Sequence, residues 1–221
     1  MIEILQKSPL FEGLSGEEVG QLTACLGISM GTFGRGKTIT RQSAAKREAG
    51  VVLSGQVLVV QEDFWGHETI VSVCQPGQLF WLTGQGGHEQ FAVTHTPCQV
   101  MFVDVTAILL PCQRNCHYHR RLVSNLFELA VIHNRDLMVK ITHLTKRTLR
   151  EKLLSYLSEQ AERQNSDSFD IPLNRQQLAN YLAVDRSALS NQLCKMRDEG
   201  WLTFHKNHFT LHRPCPHHPA P

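Results

Sequence analysis

The sequence predicts an α+β protein with a β-rich N-terminal domain, a long central helix and a C-terminal winged helix-turn-helix. Three observations support this prediction. Short β-branched runs separated by turn residues fill residues 32–106. An apolar heptad pattern then continues to residue 144. Two short, capped helices and a hairpin pattern occupy residues 173–213.

The composition is that of an ordinary globular protein, with 221 residues of which 42% are hydrophobic. Residues 1–144 hold 11 Lys+Arg against 12 Asp+Glu, a formal charge of −1, whereas residues 145–221 hold 11 against 8, which gives +3. The small basic surplus is therefore C-terminal. No stretch approaches the roughly 20 apolar residues of a membrane helix, and the N-terminus lacks the pattern of a secretion signal. We expect a cytoplasmic protein that does not bind membranes, whose seven cysteines are thiols rather than disulfides.

The N-terminal domain begins with a short helix over residues 15–27, because Ser15 and Glu18 form a capping-box pattern ahead of helically spaced apolar residues. From residue 32 onwards the sequence pattern changes to that of short strands. Their apolar runs lie at residues 51–53, 57–60, 70–73, 91–93 and 100–103. Many short strands at such spacing are typical of a small antiparallel barrel or jelly roll.

The central helix carries a heptad pattern from about Asn115 to Leu144. Its predicted seam consists of Val123, Phe127, Ala130, Asn134, Leu137, Ile141 and Leu144. Such a pattern is typical of a helix that pairs with a second copy, and an amide at an a position such as Asn134 favours a two-stranded arrangement. Alternatively, the helix packs on its own barrel through Leu122, Leu126 and Leu129. Both arrangements can hold at once, with one stripe for each.

A further helix over residues 148–161 and a polar loop at 163–168 lead into the last unit. There Asn174 is predicted to cap one helix and Asp185 a second. Ala183 and Val184 form the turn between them, and Gly200 ends the second helix. Two short helices joined by a tight turn form a helix-turn-helix.

The outward face of the second helix carries Arg186, Ser187, Ser190, Asn191, Gln192 and Lys195. These side chains can hydrogen-bond to base edges in a DNA major groove. The alternative is an ordinary solvated polar face. A hairpin pattern over residues 201–211 turns the unit into a winged helix and favours DNA binding.

Taken together, these segments resemble the CRP/FNR family of bacterial transcriptional regulators over nearly the whole chain. The most specific stretches are residues 8–11, 53–57, 76–80, 147–154 and above all 178–200. The resemblance implies a cyclic-nucleotide-binding-like β-barrel (a double-stranded β-helix) and no enzymatic activity. It implies a homodimer on a palindromic double-stranded DNA site, with contact to RNA polymerase and activation of transcription.

The same resemblance places Arg186, Ser187, Ser190 and Asn191 at base-reading positions. Ser187 stands where the family usually has an acidic residue, so the operator is expected to depart from the family's commonest half-site. The expected domains are an effector-sensing barrel at 1–114, a dimerisation helix at 115–144, a DNA-binding domain at 145–213 and a tail at 214–221.

The effector is not identified by the sequence. The family's pocket holds cyclic AMP with an arginine, but no arginine occurs between Arg47 and Arg114, so cyclic AMP is not expected. The family's N-terminal cysteine cluster is absent too, since only Cys25 lies in that segment.

If the central helix already begins at residue 112, Cys112, Cys116 and His119 lie on one face of it. These side chains could hold a soft metal, an iron–sulfur cluster or a haem, or respond to oxidation. They could equally be structural, with an organic effector in the barrel instead.

Two other functions remain possible at the level of residues. A cupin-type enzyme would hold a metal through His67, Glu68, His88, Glu89 and His95, although their spacing lacks the expected His-x-His pattern. A cyclic-nucleotide-regulated module of a larger assembly is disfavoured by the winged helix.

Overall fold

The computed structural model describes residues 2–26, 28–39, 48–81, 89–109 and 117–212. Its first elements are helix α1 (Ile2–Gln6), a 3-10 turn (Pro9–Phe11) and helix α2 (Gly16–Leu26). The predicted capping box at the start of α2 is confirmed. The Ser15 amide donates to Glu18 Oε2 at 2.8 Å, and the Glu18 amide donates to Ser15 Oγ at 3.3 Å.

Two four-stranded antiparallel sheets form the β-rich domain, in the orders β1-β8-β3-β6 and β2-β7-β4-β5. The α+β class and the jelly-roll form of this domain are confirmed. The strands are β1 (Ser29–Phe33), β2 (Thr38–Ile39), β3 (Glu48–Ser54), β4 (Val57–Glu62), β5 (Glu68–Cys74), β6 (Leu79–Trp81), β7 (Glu89–Thr94) and β8 (Cys98–Asp104). Strands β1 and β2 carry no apolar run that singles them out in the sequence, and β6 is a run of only three apolar residues.

Gly55 makes the turn by which the chain passes from β3 in one sheet to β4 in the other. Its φ is +78°, and an added Cβ would lie 2.3 Å from the carbonyl oxygen of Pro97. Only glycine fits both requirements. This turn positions β4, which forms one wall of the pocket described below.

The long helix covers one of two cores described in the N-terminal unit. One core lies between the sheets, and the other joins the first sheet to α1, α2, the short helix α3 (Val105–Leu109) and α4 (His117–Leu144). On α4, Leu122, Leu126 and Leu129 are buried in this second core. The stripe predicted to pack on the barrel is therefore confirmed.

The C-terminal elements are α5 (Leu149–Gln164), β9 (Ser168–Asp170), α6 (Arg175–Leu182), α7 (Arg186–Asp198), β10 (Leu202–His205) and β11 (His208–Leu211). The predicted helix-turn-helix and hairpin are confirmed. The prediction of a loop at 163–168 was wrong at both ends, because α5 continues to Gln164 and β9 adds a third strand beside β11. Phe169 is the only buried residue of β9, so its pairing leaves no apolar pattern in the sequence.

The chain forms two compact units, residues 1–137 and 138–221, and the division falls within α4. From the sequence, we expect the DNA-binding domain to begin at residue 145, after this helix. No helix in the described ranges has the length and hydropathy needed to cross a membrane.

Candidate nucleic-acid interface

The helix-turn-helix is built on a reciprocal cap and a shared apolar core. Asn174 Oδ1 accepts from the Gln177 amide at 2.9 Å, and the Asn174 amide donates to Gln177 Oε1 at 2.9 Å. Ala183 adopts a left-handed conformation, with φ of +51°, and ends α6. Six side chains of α6 and α7 are fully buried: Leu178, Ala179, Leu182, Leu189, Leu193 and Met196. The two helices are thereby held at a fixed angle.

Both ends of α7 are capped by local hydrogen bonds. Asp185 Oδ1 accepts from the amides of Ser187 at 2.7 Å and Ala188 at 3.0 Å. The Ser187 hydroxyl and these amides lower the pKa of the Asp185 carboxyl, which therefore remains an anionic cap. At the other end, the Gly200 amide donates to the carbonyl of Arg197 and the Trp201 amide to that of Met196. This is a Schellman motif, and Gly200 supplies the positive φ of +73° that it requires.

The exposed face of α7 contains two kinds of polar side chain. The side chains of Arg186, Asn191 and Lys195 are exposed and make no hydrogen bond or ion pair within the ranges that the structure describes. The two serines are already engaged: Ser187 Oγ donates to Asp185 Oδ1 at 2.5 Å, and Ser190 Oγ donates to the Arg186 carbonyl at 2.9 Å. Arg186, Asn191 and Lys195 are thus the side chains available to an outside partner.

An aromatic cluster attaches the wing to the two helices. Phe204 and Phe209 stack at 5.8 Å between ring centroids. The Arg175 guanidinium, from the first residue of α6, lies 4.9 Å from both centroids, and Arg197 lies 5.8 Å from that of Phe204. No sequence pattern singles out Arg175, because its contacts with the hairpin arise only on folding.

The tip of the wing is a two-residue turn. His205 pairs with His208, and Lys206, with φ of +52°, forms the turn with Asn207. The predicted hairpin turn is therefore confirmed.

Comparison with known proteins identifies this unit. The family model of the Crp-like helix-turn-helix domain matches residues 151–215 of this chain. The C-terminal unit is a Crp-like helix-turn-helix domain. Such domains belong to regulators rather than enzymes, so the prediction of a non-enzymatic protein is confirmed, and the cupin-type alternative is set aside. No curated protein sequence matches the chain.

Solved structures extend the similarity in fold to most of the chain. A mutant of CooA from Carboxydothermus hydrogenoformans is similar with a TM-score of 0.70 and 16% identity, covering 94% of this chain and 89% of that one. The c-di-GMP-responsive global regulator CLP of Xanthomonas campestris is similar with a TM-score of 0.70 and 14% identity, and the match covers 90% of this chain and 100% of that one.

A CRP/FNR-family transcriptional regulator from Thermus thermophilus is similar with a TM-score of 0.59 and 18% identity, and the match covers 84% of this chain and 94% of that one. The resemblance to the CRP/FNR family predicted from the sequence is confirmed: the chain combines the CRP/FNR fold with a Crp-like helix-turn-helix domain.

The predicted seam of α4 is only partly exposed. Phe127, Asn134 and Ile141 are exposed, with 69% exposure for Phe127 and 50% for Ile141. Val123, Ala130, Leu137 and Leu144 are partly covered, and Val123 packs against the N-terminal core. Three apolar residues of α4 outside the predicted seam are also exposed: Val131 at 52%, Ile132 at 40% and Met138 at 57%. Of these, Val131 and Met138 lie at the four- and three-residue spacing of Phe127, Asn134 and Ile141. The exposed stripe of α4 therefore consists of the apolar Phe127, Val131, Met138 and Ile141 together with the polar Asn134.

The candidate sensing residues are only partly visible. Cys112 and Cys116 lie outside the described residues. His119 is described, and its Nε2 lies 2.6 Å from the carbonyl oxygen of Ile108, so that Nε2 donates and only Nδ1 is left for a metal.

Of the proposed cupin ligands, His88 is outside the described residues. His67 lies in an exposed turn, where its Nδ1 is 3.0 Å from Asp63 Oδ2. No group of three or more His, Cys, Asp or Glu side chains suited to a metal occurs in the described parts of the chain.

Proposed function

We propose that this protein is a transcriptional regulator that binds a palindromic operator in double-stranded DNA as a homodimer. The observation that carries the proposal is the unengaged set Arg186, Asn191 and Lys195 on the second helix of a Crp-like helix-turn-helix domain. Arginine can bind guanine O6 and N7 together, asparagine can bind adenine, and lysine suits a phosphate. The caps of α7 fix both ends of the helix that carries these side chains, from its first residue (Arg186) to its last turn (Lys195), as a base-reading element requires.

Dimerisation is proposed through the exposed stripe of α4. Phe127, Val131, Asn134, Met138 and Ile141 are spaced four and three residues apart, which is the spacing of a two-helix seam. Exposed apolar side chains in such an array favour a partner helix over water. The proposal keeps Phe127, Asn134 and Ile141 from the predicted seam. It replaces Ala130 and Leu137 with their neighbours in sequence.

The N-terminal domain is proposed to sense an effector and to pass its state to the DNA-binding unit, with RNA polymerase as a further partner. Cyclic AMP is not the proposed effector, because residues 48–113 contain no arginine. Two routes are open: redox or metal chemistry at Cys112, Cys116 and His119, or a small molecule in the barrel. The second is developed below.

A randomised-site selection tests the DNA-binding proposal. We expect the wild-type protein to enrich inverted repeats whose half-sites lie about 34–36 Å apart, one helical turn. Arg186→Ala should lose the preference for guanine at one position of each half-site.

Arg197→Ala is the matched control, because it removes an arginine from the same helix that already pairs with Asp198 at 3.0 Å. It should leave the base preference unchanged. The absence of any enriched site with wild-type protein would overturn the proposal, whereas an unchanged preference in Arg186→Ala would overturn the role of that residue.

A further inference from the structure

A pocket of about 400 Å³ lies within the N-terminal unit, between the sheet that contains β4 and β5 and the middle of α4. We call it the barrel pocket. It is lined by Val59, Val71, Ser72, Trp81, Gln90, Ala130, His133, Asn134 and Leu137. Its volume suits a small organic molecule.

No lysine or arginine is among the described residues that line the barrel pocket. Residues 48–113, which include strands β3 to β8, contain no lysine and no arginine. They contain six carboxylates: Glu48, Glu62, Asp63, Glu68, Glu89 and Asp104. Three of these, Glu62, Glu68 and Glu89, occupy paired register positions on adjacent strands at one end of the β4 sheet. An anion that left water for this pocket would find no lysine or arginine among the described lining residues to compensate it.

The wall contributed by α4 is also uncharged at neutral pH. Burial lowers the pKa of the His133 imidazole below its ordinary value, although the Asp136 carboxylate opposes this effect. Asn134 and Leu137 complete this wall. The pocket therefore presents neutral hydrogen-bonding groups from Ser72, Gln90, His133 and Asn134, together with the Trp81 indole and aliphatic side chains.

A chain of glutamine side chains fixes the wall in place. Gln56 Nε2 donates to Gln75 Oε1 at 3.0 Å, and the backbone N–H of Gln75 donates to Gln78 Oε1 at 2.7 Å. Gln78 Nε2 in turn donates to Asp136 Oδ2 at 3.0 Å. Asp136 lies on α4 between His133 and Leu137, so the network ties the pocket face of the helix to the barrel. The pocket is thereby held in shape before any ligand enters.

We propose that the barrel pocket binds a small, planar, non-anionic organic molecule, with its ring against Trp81 and its polar group beside Gln90 and His133. A flat ring is well accommodated by an indole and aliphatic walls, and a cation is tolerated where an anion is not. The inference rests on the proposed function in one respect, because it takes the ligand to be the effector of the regulator.

The test uses three probes of nearly the same shape: benzamide (neutral), benzamidine (cationic) and benzoate (anionic). The full-length protein is labelled with 5-fluorotryptophan, and the ¹⁹F signals of Trp65, Trp81 and Trp201 are assigned with single Trp→Phe variants. We expect benzamide and benzamidine to shift the Trp81 signal with dissociation constants of about 1 mM, which is ordinary for fragments of this size. Benzoate should bind about tenfold more weakly or not at all.

Trp65 provides the internal control for unspecific stacking, since it is 79% exposed on the β4–β5 turn beside Phe64. A matched pair of variants then tests the electrostatic cause. Gln90→Arg should reverse the order, so that benzoate binds better than benzamidine. Gln90→Glu should tighten benzamidine and leave benzoate excluded.

Three results would each overturn the inference. They are equal shifts of the Trp65 and Trp81 signals, binding of benzoate as tight as that of benzamide, and no shift of the Trp81 signal with either non-anionic probe. Because the titration contains no DNA, its failure leaves the DNA-binding proposal standing. Failure of the site selection likewise leaves the ligand chemistry of the pocket measurable.

Discussion

The exposed face of α7 and the wall of the barrel pocket both present polar side chains, but they differ in charge and in freedom. On α7, Arg186 and Lys195 carry unengaged positive charges beside the neutral Asn191. Around the pocket, residues 48–113 contribute carboxylates and no lysine or arginine. Of these two surfaces, only the face of α7 matches a polyanion such as DNA. Side chains rather than the fold select a ligand, so two regions of one regulator can suit ligands of different charge.

A change at the proposed α4 seam should have the strongest effect of all, because it acts on dimer formation and touches neither of the two surfaces compared above. Val131→Glu would place two carboxylates at the proposed seam without partners, and burying unpaired charges is strongly unfavourable. We expect monomers in size-exclusion chromatography and loss of operator binding by more than about 100-fold, since half-sites are then bound singly.

Glu128→Gln serves as control for this variant, because it changes the charge of an exposed residue of α4 outside the proposed seam. A folded dimer that survives Val131→Glu would contradict the seam.

Removing Arg186 and removing Lys195 should change DNA binding in different ways, although both side chains are cations of α7. Arg186→Ala should weaken the matched operator by about 1–3 kcal/mol, or about 5- to 150-fold, and flatten one base position per half-site. Lys195→Ala should weaken all sequences alike and lower the salt slope by about one for each phosphate that the lysine neutralises.

Equilibrium binding to matched and single-base-changed operators over a range of salt concentrations distinguishes the two effects. If Lys195→Ala changes base preference instead, the assignment of these two residues must be exchanged.

Ser187 tests the contrast between engaged and unengaged side chains. Its hydroxyl is already hydrogen-bonded to Asp185, so Ser187→Ala should alter base preference less than Arg186→Ala does. Ser187→Glu introduces the acidic residue usual in the family and can accept from cytosine N4, so it should change the preferred base. Site selection with both variants measures this. A large change in Ser187→Ala would show that the hydroxyl leaves Asp185 when DNA binds.

The smallest expected effect concerns a neutral histidine inside the C-terminal unit. His143 is 2% exposed, and its Nδ1 lies 2.8 Å from Ser155 Oγ. Burial, with help from Arg163 and Lys146, lowers the pKa of His143 from 6.5 to about 4. Between these two values the unfolded chain binds a proton that the folded chain does not, so the free energy of unfolding should fall as the pH drops from 6.5 towards 4.

Urea unfolding at several pH values checks this. His143→Phe should reduce the slope in that window, whereas His205→Gln, at an exposed position of the wing, should keep it. An equal slope in His143→Phe and wild type would assign the pH dependence to other groups.

Much of the C-terminal unit could be read directly from the sequence, because its determinants are local. The caps at Asn174 and Asp185 act within three residues, and Gly200 ends α7 through its own φ. The buried stripe of Leu189, Leu193 and Met196 follows from helical periodicity. The candidate DNA-reading residues follow from the same periodicity, since a helix with one buried face exposes the opposite one.

Other features were decided only by tertiary structure, because they depend on partners distant in the chain. Strand β9 exists through its pairing with β11, and Arg175 is held by rings of the hairpin. The seam is the clearest case. The 127–131–134–138–141 series and the predicted series with Ala130 and Leu137 have the same spacing, and a heptad pattern drifts by about 20° per repeat on a straight helix. Ala130 and Leu137 line the pocket between α4 and the barrel, and that contact, which the heptad pattern does not reveal, decides which series remains exposed.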